Sequence, residues 1–361
     1  MNSKERVNSV LSYSEPDRVP MHLNATKWVV SKLKNALRVS SDSALLKALN
    51  IDFYDMRGID LHSGVAPQYI GPPNVFFSSE WKGAINSFWG IEEFENMTIS
   101  GWTMEMGPSP LASATNLKDL QNYNWPENDW FDYTGMRRKL EDWQDFSIIA
   151  TGASVFQHVT FLRGTDILMM DMMMYPEIAN YLFDKFFNFY HEYYRRMFEE
   201  AGDLIDIFAL ADDLGMQNTL LISPELFDEY VAPRLKKMTD LAHLYNIKLL
   251  LHTCGNVETI IQRFIDLGVD ILDPLQPESM DPVEIKNKYG RDICLRGGIS
   301  VQNIVSKGTA KEVKAESKRI MKALMKGGGY IFAPGHPVLQ DDVPVENILA
   351  MYKAGIQFGS Y

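Results

Sequence analysis

The sequence predicts an α/β fold of the (β/α)8 TIM barrel type, on three observations. Six short apolar runs alternate with longer amphipathic ones from residue 146 onward. Two further candidate strands precede them, which brings the count to eight. No G-x-G-x-x-G follows any strand, so the open, doubly wound alternative lacks its phosphate-binding turn.

Each element follows from its residues. A first amphipathic helix leads into "RVPMHLNA" (18–25), and "DFYDMRG" (52–58) supplies the second early strand. "FSIIATGAS" (146–154) opens the regular units and gives way to helix through "PEIANYLFDKFFNFYHEYYRRMFEEAG" (176–202). "IDIFALADDLG" (205–215) comes next, then a helix from 223 to 246 that opens on a Ser cap, "SPELFDEY". "IKLLLHTCGN", "VDILDPLQP", "DICLRGGIS" and "GYIFAPGHP" are the remaining strands, each followed by a helical stretch. The strands are nearly continuous in Val, Ile, Leu and Phe, as expected when both faces of a parallel sheet are covered. The run "MMDMMMYP" (169–176) is expected as a buried helix face rather than a cofactor box.

Residues 60–145 break this rhythm. Trp81, Trp89, Trp102, Trp125 and Trp130, five of the seven tryptophans, fall here before residue 135, among prolines and glycines. A segment this long is too large for an ordinary loop. The expectation is an aromatic-rich insertion of hairpins and turns, a lid or substrate wall, within a single domain spanning 1–361.

Composition narrows the function classes. Hydrophobic residues make up 46% and charged residues 23%, the balance of a soluble globular chain. No apolar run approaches the roughly 20 residues that span a bilayer, and the start "MNSKERVNSVLSYSEPDRVP" has no apolar signal core. A cytoplasmic protein without membrane contact is therefore expected. A net charge of −12 argues against a nucleic-acid partner, whose phosphates need a basic face. Two cysteines, Cys254 and Cys294, make no disulfide framework.

Chemistry in (β/α)8 enzymes sits at the C-terminal ends of the strands. Those ends carry His22 and Asn24, Asp212 and Asp213, His252 and Cys254, Gln276, Arg296 beside Gly297 and Gly298, and His336. Buried strand ends are costly places for charge unless they face a cavity, so these positions converge on one site. Residues two apart on a strand share a face, so His252 and Cys254 project together into the barrel mouth. One imidazole and one thiolate suit Zn²⁺ better than Mg²⁺ or Ca²⁺, and a catalytic zinc takes about three protein ligands. His336 is the expected third ligand, with Cys294 in reserve but deeper on its strand. The same residues also read structurally. A cysteine can be core filler, a histidine can bond a carbonyl, and "ADDLG" can cap a helix. Arg296 can bind an anionic substrate or pair with Asp273. Spacing alone leaves both readings open.

With these residues in place, the chain resembles the uroporphyrinogen decarboxylase superfamily over nearly its whole length. "ERVNSVLSYSEPDRVP" is similar to the family's opening helix and first strand. "PLASATNLKDLQNYNWPENDWFD" is similar to a segment of its methyltransferase-like branch. "LLHTCGNVETIIQRFIDLGVDILDPLQP", "LRGGIS" and "GGGYIFAPGHPVLQDDVPVENILAMY" resemble its C-terminal signatures. The superfamily holds true porphyrinogen decarboxylases and corrinoid-dependent methyltransferases, and its fold is a (β/α)8 barrel. Its decarboxylases carry an arginine-rich motif after the first strand, where this chain reads "PMHLNATKWVV", with a single Lys27 and no arginine. The resemblance therefore points to the methyltransferase branch.

That branch binds zinc through an H-x-C pair and a second cysteine near the C-terminus. His252 and Cys254 match the pair, and His336 stands where the second cysteine falls. The resemblance thus implies methyl transfer between a small thiol or methylated substrate and a corrinoid (cobalamin), carried on a partner corrinoid protein. Zinc would assist at His252, Cys254 and His336, with Asp212, Asp213 and His336 catalytic. His22, Asn24, Gln276 and Arg296 would bind the substrate, and a homodimer fits the family. The alternative is a carboxy-lyase acting on a porphyrinogen or smaller acid, with Asp213 and His336 at its centre. A non-catalytic corrinoid- or tetrapyrrole-binding protein is the third reading.

Overall fold

The regular units form a parallel seven-stranded sheet in the computed structural model, which describes residues 1–59, 64–72, 87–91, 93–99 and 101–361. Its strands follow chain order: β1 (Phe53–Asp55), β2 (Ser147–Ala153), β3 (Ile207–Ala211), β4 (Lys248–His252), β5 (Ile271–Leu275), β6 (Cys294–Ile299) and β7 (Tyr330–Pro334). Every neighbouring pair is parallel.

Residues 18–25 close the barrel between β7 and β1. The His22 N–H donates to the Phe332 carbonyl at 3.1 Å, and the Asp52 N–H donates to the Met21 carbonyl at 2.9 Å. Met21 and Ala25 form parallel bridges to Phe332 and Leu339. The eighth stave is thus a ladder of bridges rather than a continuous strand, and the TIM barrel expectation holds.

The alternation along the staves separates an apolar floor from a polar roof. Phe53, Ile149, Ile207, Leu250, Ile271, Cys294 and Ile331 pack together at the lower level, plugged by Val7 and Val10 of the first helix, Ser3–Leu11. Two residues further along the same faces stand Asp55, Thr151, His252, Asp273 and Arg296. Cys294 is therefore floor, and burial pushes its thiol up to about 12. It is not a reserve ligand at the mouth.

One carboxylate ties the plug to the closing stave. Asp52, fully buried, accepts from Arg6 Nη1 at 2.6 Å, Arg18 Nη1 at 2.7 Å and the Met21 N–H at 2.8 Å.

The described part of the 60–145 segment does two things. Trp89 stacks on Phe186 at 3.9 Å and donates from Nε1 to the Tyr190 hydroxyl at 3.0 Å, anchoring the segment to helix Pro176–Ala201. The hairpin of Glu93–Thr98 and Gly101–Met106 reaches the barrel's C-terminal rim. There Trp102 stacks on Trp28, and Lys27 pairs with Glu95. Residues 60–63, 73–86, 92 and 100, with Trp81, lie outside the described residues.

The methionine run departs from expectation. In helix Thr165–Met174 only Leu168, Asp171 and Met172 are buried, while Met170, Met173 and Met174 are exposed. Apolar residues occur on every side of this helix, and only one side can face the body. The Arg163–Asp171 ion pair (2.7 Å) helps fix which one.

Ser223 caps its helix as expected, accepting from the Leu226 N–H at 3.3 Å. Among the described residues, no helix is long and apolar enough to cross a membrane.

His158, buried on helix Gln157–Arg163 against the Tyr190 hydroxyl (3.3 Å), gives a pH-dependent stability. Burial and the Arg57 charge push its pKa down to about 3. The unfolded chain takes up the proton near pH 6.5 and the fold does not. Its contribution is therefore complete above pH 6.5 and is lost as pH falls from 6.5 towards 3. At pH 5 the expected loss is about 2 kcal/mol. His158→Gln should flatten the melting temperature between pH 7 and 5; an unchanged slope would contradict this assignment.

Candidate active site at the barrel mouth

β4 ends in the turn that sets the site. After Leu249–Leu251 the chain delivers His252 upward, then breaks at Gly255, whose φ is +84°. A Cβ there would meet the Gly215 backbone carbon at 2.4 Å, so the loops after β3 and β4 touch main chain to main chain. This contact places Asp213 beside His252 and Cys254.

The three side chains meet. His252 Nε2 lies 3.5 Å from Asp213 Oδ1 and 3.6 Å from Cys254 Sγ. One ligand atom from each of Asp213, His252 and Cys254 lies within 4.8 Å of the others. Metal bonds of about 2.0–2.3 Å at tetrahedral angles put ligand atoms about 3.4–3.6 Å apart, so the measured separations fit the edges of a zinc tetrahedron. His252 Nδ1 faces Asp273 Oδ2 at 2.8 Å, leaving Nε2 as the metal-facing nitrogen. A carboxylate behind the imidazole is the usual brace of a metal-bound histidine.

Negative charge surrounds the His252 ring. Burial opposes protonation of His252, but the negative charges of Cys254, Asp213 and Asp273 outweigh it and hold its pKa well above the usual value. Burial would also raise Asp213; its bonds with His252, the Cys254 N–H and Gln157 hold it below the carboxylate range instead.

The other sequence-predicted residues divide. The adjacent carboxylates point opposite ways. Asp212, 1% exposed, accepts from Ser154 Oγ at 2.6 Å and from the N–H groups of Val155, Phe156 and Gln157. It therefore caps helix Gln157–Arg163 from another strand, and its oxygens are committed there rather than to a reacting group. Gln276 Oε1 accepts from the Gly255 N–H at 3.0 Å and shapes the turn. His336 is absent from the three-residue group. Its Nδ1 lies 2.9 Å from the Val338 carbonyl, and burial holds its pKa below the usual value. Nδ1 also lies 3.4 Å from the Val338 N–H; the shorter contact is to the carbonyl, which only accepts, and it places the proton on Nδ1 and a lone pair on Nε2.

His22, Asn24 and Arg296 are buried. Arg296 Nη1 lies 3.3 Å from Asp273 Oδ2, the oxygen that also meets His252. Arg296 Nε, both ring nitrogens of His22, Asn24 Oδ1 and Asp273 Oδ1 are buried without a protein partner. Burial and the Arg296 charge keep His22 neutral. Unmet buried polar atoms cost about 1–3 kcal/mol each, so these groups are costly where they stand.

Sequence reasoning missed Asp55, at the end of β1. Burial raises its pKa, and it accepts from Thr151 Oγ1 at 2.6 Å. An acid at the C-terminal end of a short strand, after Phe53 and Tyr54, was the available signal.

Comparison with known proteins fits this arrangement. The chain is 26% identical over 182 residues to the methylcobamide:CoM methyltransferase MtbA of Methanosarcina mazei. It spans about half the length of this curated relative, 50% of each chain being covered. A solved methyltransferase structure from Methanosarcina mazei superposes with a TM-score of 0.69 over 99% of both chains at 18% identity, a likeness of fold. Residues 108–357 match the family described as uroporphyrinogen decarboxylase (URO-D), and the chain belongs to that family.

Proposed function

We propose that this protein transfers a methyl group between a small thiol or methylated substrate and a corrinoid carried on a partner protein, with zinc held by His252 and Cys254. One observation carries the reading: the two tetrahedral-edge distances around His252 Nε2, with Asp273 bracing the far side of the ring. The likeness to MtbA supports the same chemistry. Zinc bound there supplies Lewis acidity that keeps a coordinated thiol as its thiolate near neutral pH.

The chain's own groups do the rest. Asp273 fixes the His252 ring through Nδ1. His336, neutral and with Nε2 uncommitted, takes the proton that a thiol releases on binding. Arg296, His22 and Asn24 hold the polar end of the substrate, their unpartnered polar atoms being the groups that would bind it. The aromatic hairpin at the rim keeps water from the reacting atoms.

The test is incubation with methylcobalamin and a panel of thiols. The corrinoid spectrum should convert with at least one thiol, and a flat trace across the panel would discard methyl transfer. Carbon dioxide release from a porphyrinogen or a smaller acid would favour the carboxy-lyase reading instead. With an active acidic thiol, Arg296→Gln should raise KM about tenfold or more, the worth of one lost charged hydrogen bond. An unchanged KM would remove Arg296 from the substrate site.

A further inference from the structure

The pair His252 and Cys254 leaves the third protein ligand to be assigned. We infer that it is Asp213, on the loop after β3, and not His336. This rests on the zinc reading above.

Position is the first ground. Asp213 Oδ1 stands one tetrahedral edge, 3.5 Å, from His252 Nε2, and its carboxylate belongs to the same compact group as Cys254 Sγ. His336 does not belong to that group among the described residues.

Restraint is the second. Gln157 Nε2 donates to Asp213 Oδ2 at 2.6 Å, and the Cys254 N–H donates to Oδ1 at 3.0 Å. The carboxylate is thus oriented from both sides before any metal arrives, with lone pairs to spare on Oδ1. The Cys254 amide that bonds Asp213 belongs to the residue that supplies the sulfur, so one short turn positions two ligands. The His336 ring, by contrast, is tied to its own loop through the Val338 carbonyl.

Charge is the third. A divalent ion bound by one thiolate and one carboxylate is neutral, as suits a site largely withdrawn from water. With two histidines and one cysteine, the ion would keep a positive charge, with the Asp213 carboxylate beside it but outside its coordination. The chain therefore replaces the family's second sulfur with an oxygen from a different strand.

The experiment compares zinc binding in the full-length protein, Asp213→Asn and His336→Ala. Elemental analysis gives the zinc content, and competition with a chromophoric chelator gives the affinity. Asn keeps the shape of the side chain and can still accept from the Cys254 N–H. Asp213→Asn should lose at least 100-fold in zinc affinity, and His336→Ala should stay within threefold of wild type. Cobalt(II) loading adds a spectroscopic readout: the visible bands should keep their intensity in His336→Ala and weaken in Asp213→Asn. If circular dichroism shows Asp213→Asn unfolded, Gln157→Leu releases only one carboxylate oxygen and should cost about 10- to 100-fold. Wild-type affinity in Asp213→Asn, or loss of zinc in His336→Ala, would overturn the inference. A wild-type protein that binds no zinc would overturn the zinc reading itself.

Discussion

Replacing Cys254 with alanine should abolish methyl transfer to a thiol while leaving the fold intact. The residue gives the site one sulfur, 3.6 Å from His252 Nε2. Its backbone N–H, which holds Asp213, survives the change. The turn stays in place because Gly215 meets Gly255 through main-chain atoms. On the proposed reading, loss of an anionic ligand would remove the Lewis acid on which thiol activation depends, and such assistance is worth several kcal/mol. About 4 kcal/mol corresponds to a rate loss of about 10³. Zinc should be missing from the purified variant while its melting temperature in the metal-free state matches wild type. Turnover persisting in zinc-free Cys254→Ala would show that the sulfur is not needed.

The largest expected effect on stability lies at the opposite end of the barrel. Asp52→Asn leaves Arg6 and Arg18 facing a neutral amide, although both now bond the buried carboxylate. Arg6, 6% exposed, keeps its pair with Asp17 (2.7 and 2.8 Å) but loses the fully buried one of its two carboxylates. Breaking a buried pair costs about 3–5 kcal/mol. Unfolding entropy scales with length, so for a chain of 361 residues this corresponds to a fall of about 4–7 °C in Tm. The same carboxylate accepts from the Met21 N–H, so the closing stave loosens together with the helix that plugs the floor. His22 and Asn24 ride on that stave, so substrate binding should weaken too. A Tm within 1 °C of wild type would show that Arg6 and Arg18 find other partners.

Much of this was legible in the sequence. The six regular strands could be read because burial on both faces leaves an uninterrupted apolar run with a polar end. Residues 18–25 read as a strand from the same apolar character, although only bridges hold them. The depth of Cys294 also follows from parity, since it lies two residues below Arg296 on one face. Parity could have separated Asp212 from Asp213: successive residues on β3 point to opposite sides, so one of them had to leave the mouth.

Other features were closed to such reading. The methionine run is apolar on all sides, and only tertiary packing decides which side is covered. His336 reaches the expected strand end, but its place depends on a ring rotation set by the Val338 carbonyl. Asp273 could be read as a partner of Arg296. Its hold on His252 depends on two neighbouring strands being in register, which no single segment reveals.

The touching glycines after β3 and β4 decide how this site tolerates change. The two loops are pinned where two bare backbones meet, so repacking of side chains that bond neither the Asp213 carboxylate nor the turn leaves their spacing in place. A single methyl group at Gly255, by contrast, would drive a wedge between the loops and separate the ligands. The aromatic wall can therefore change while the two loops keep their contact.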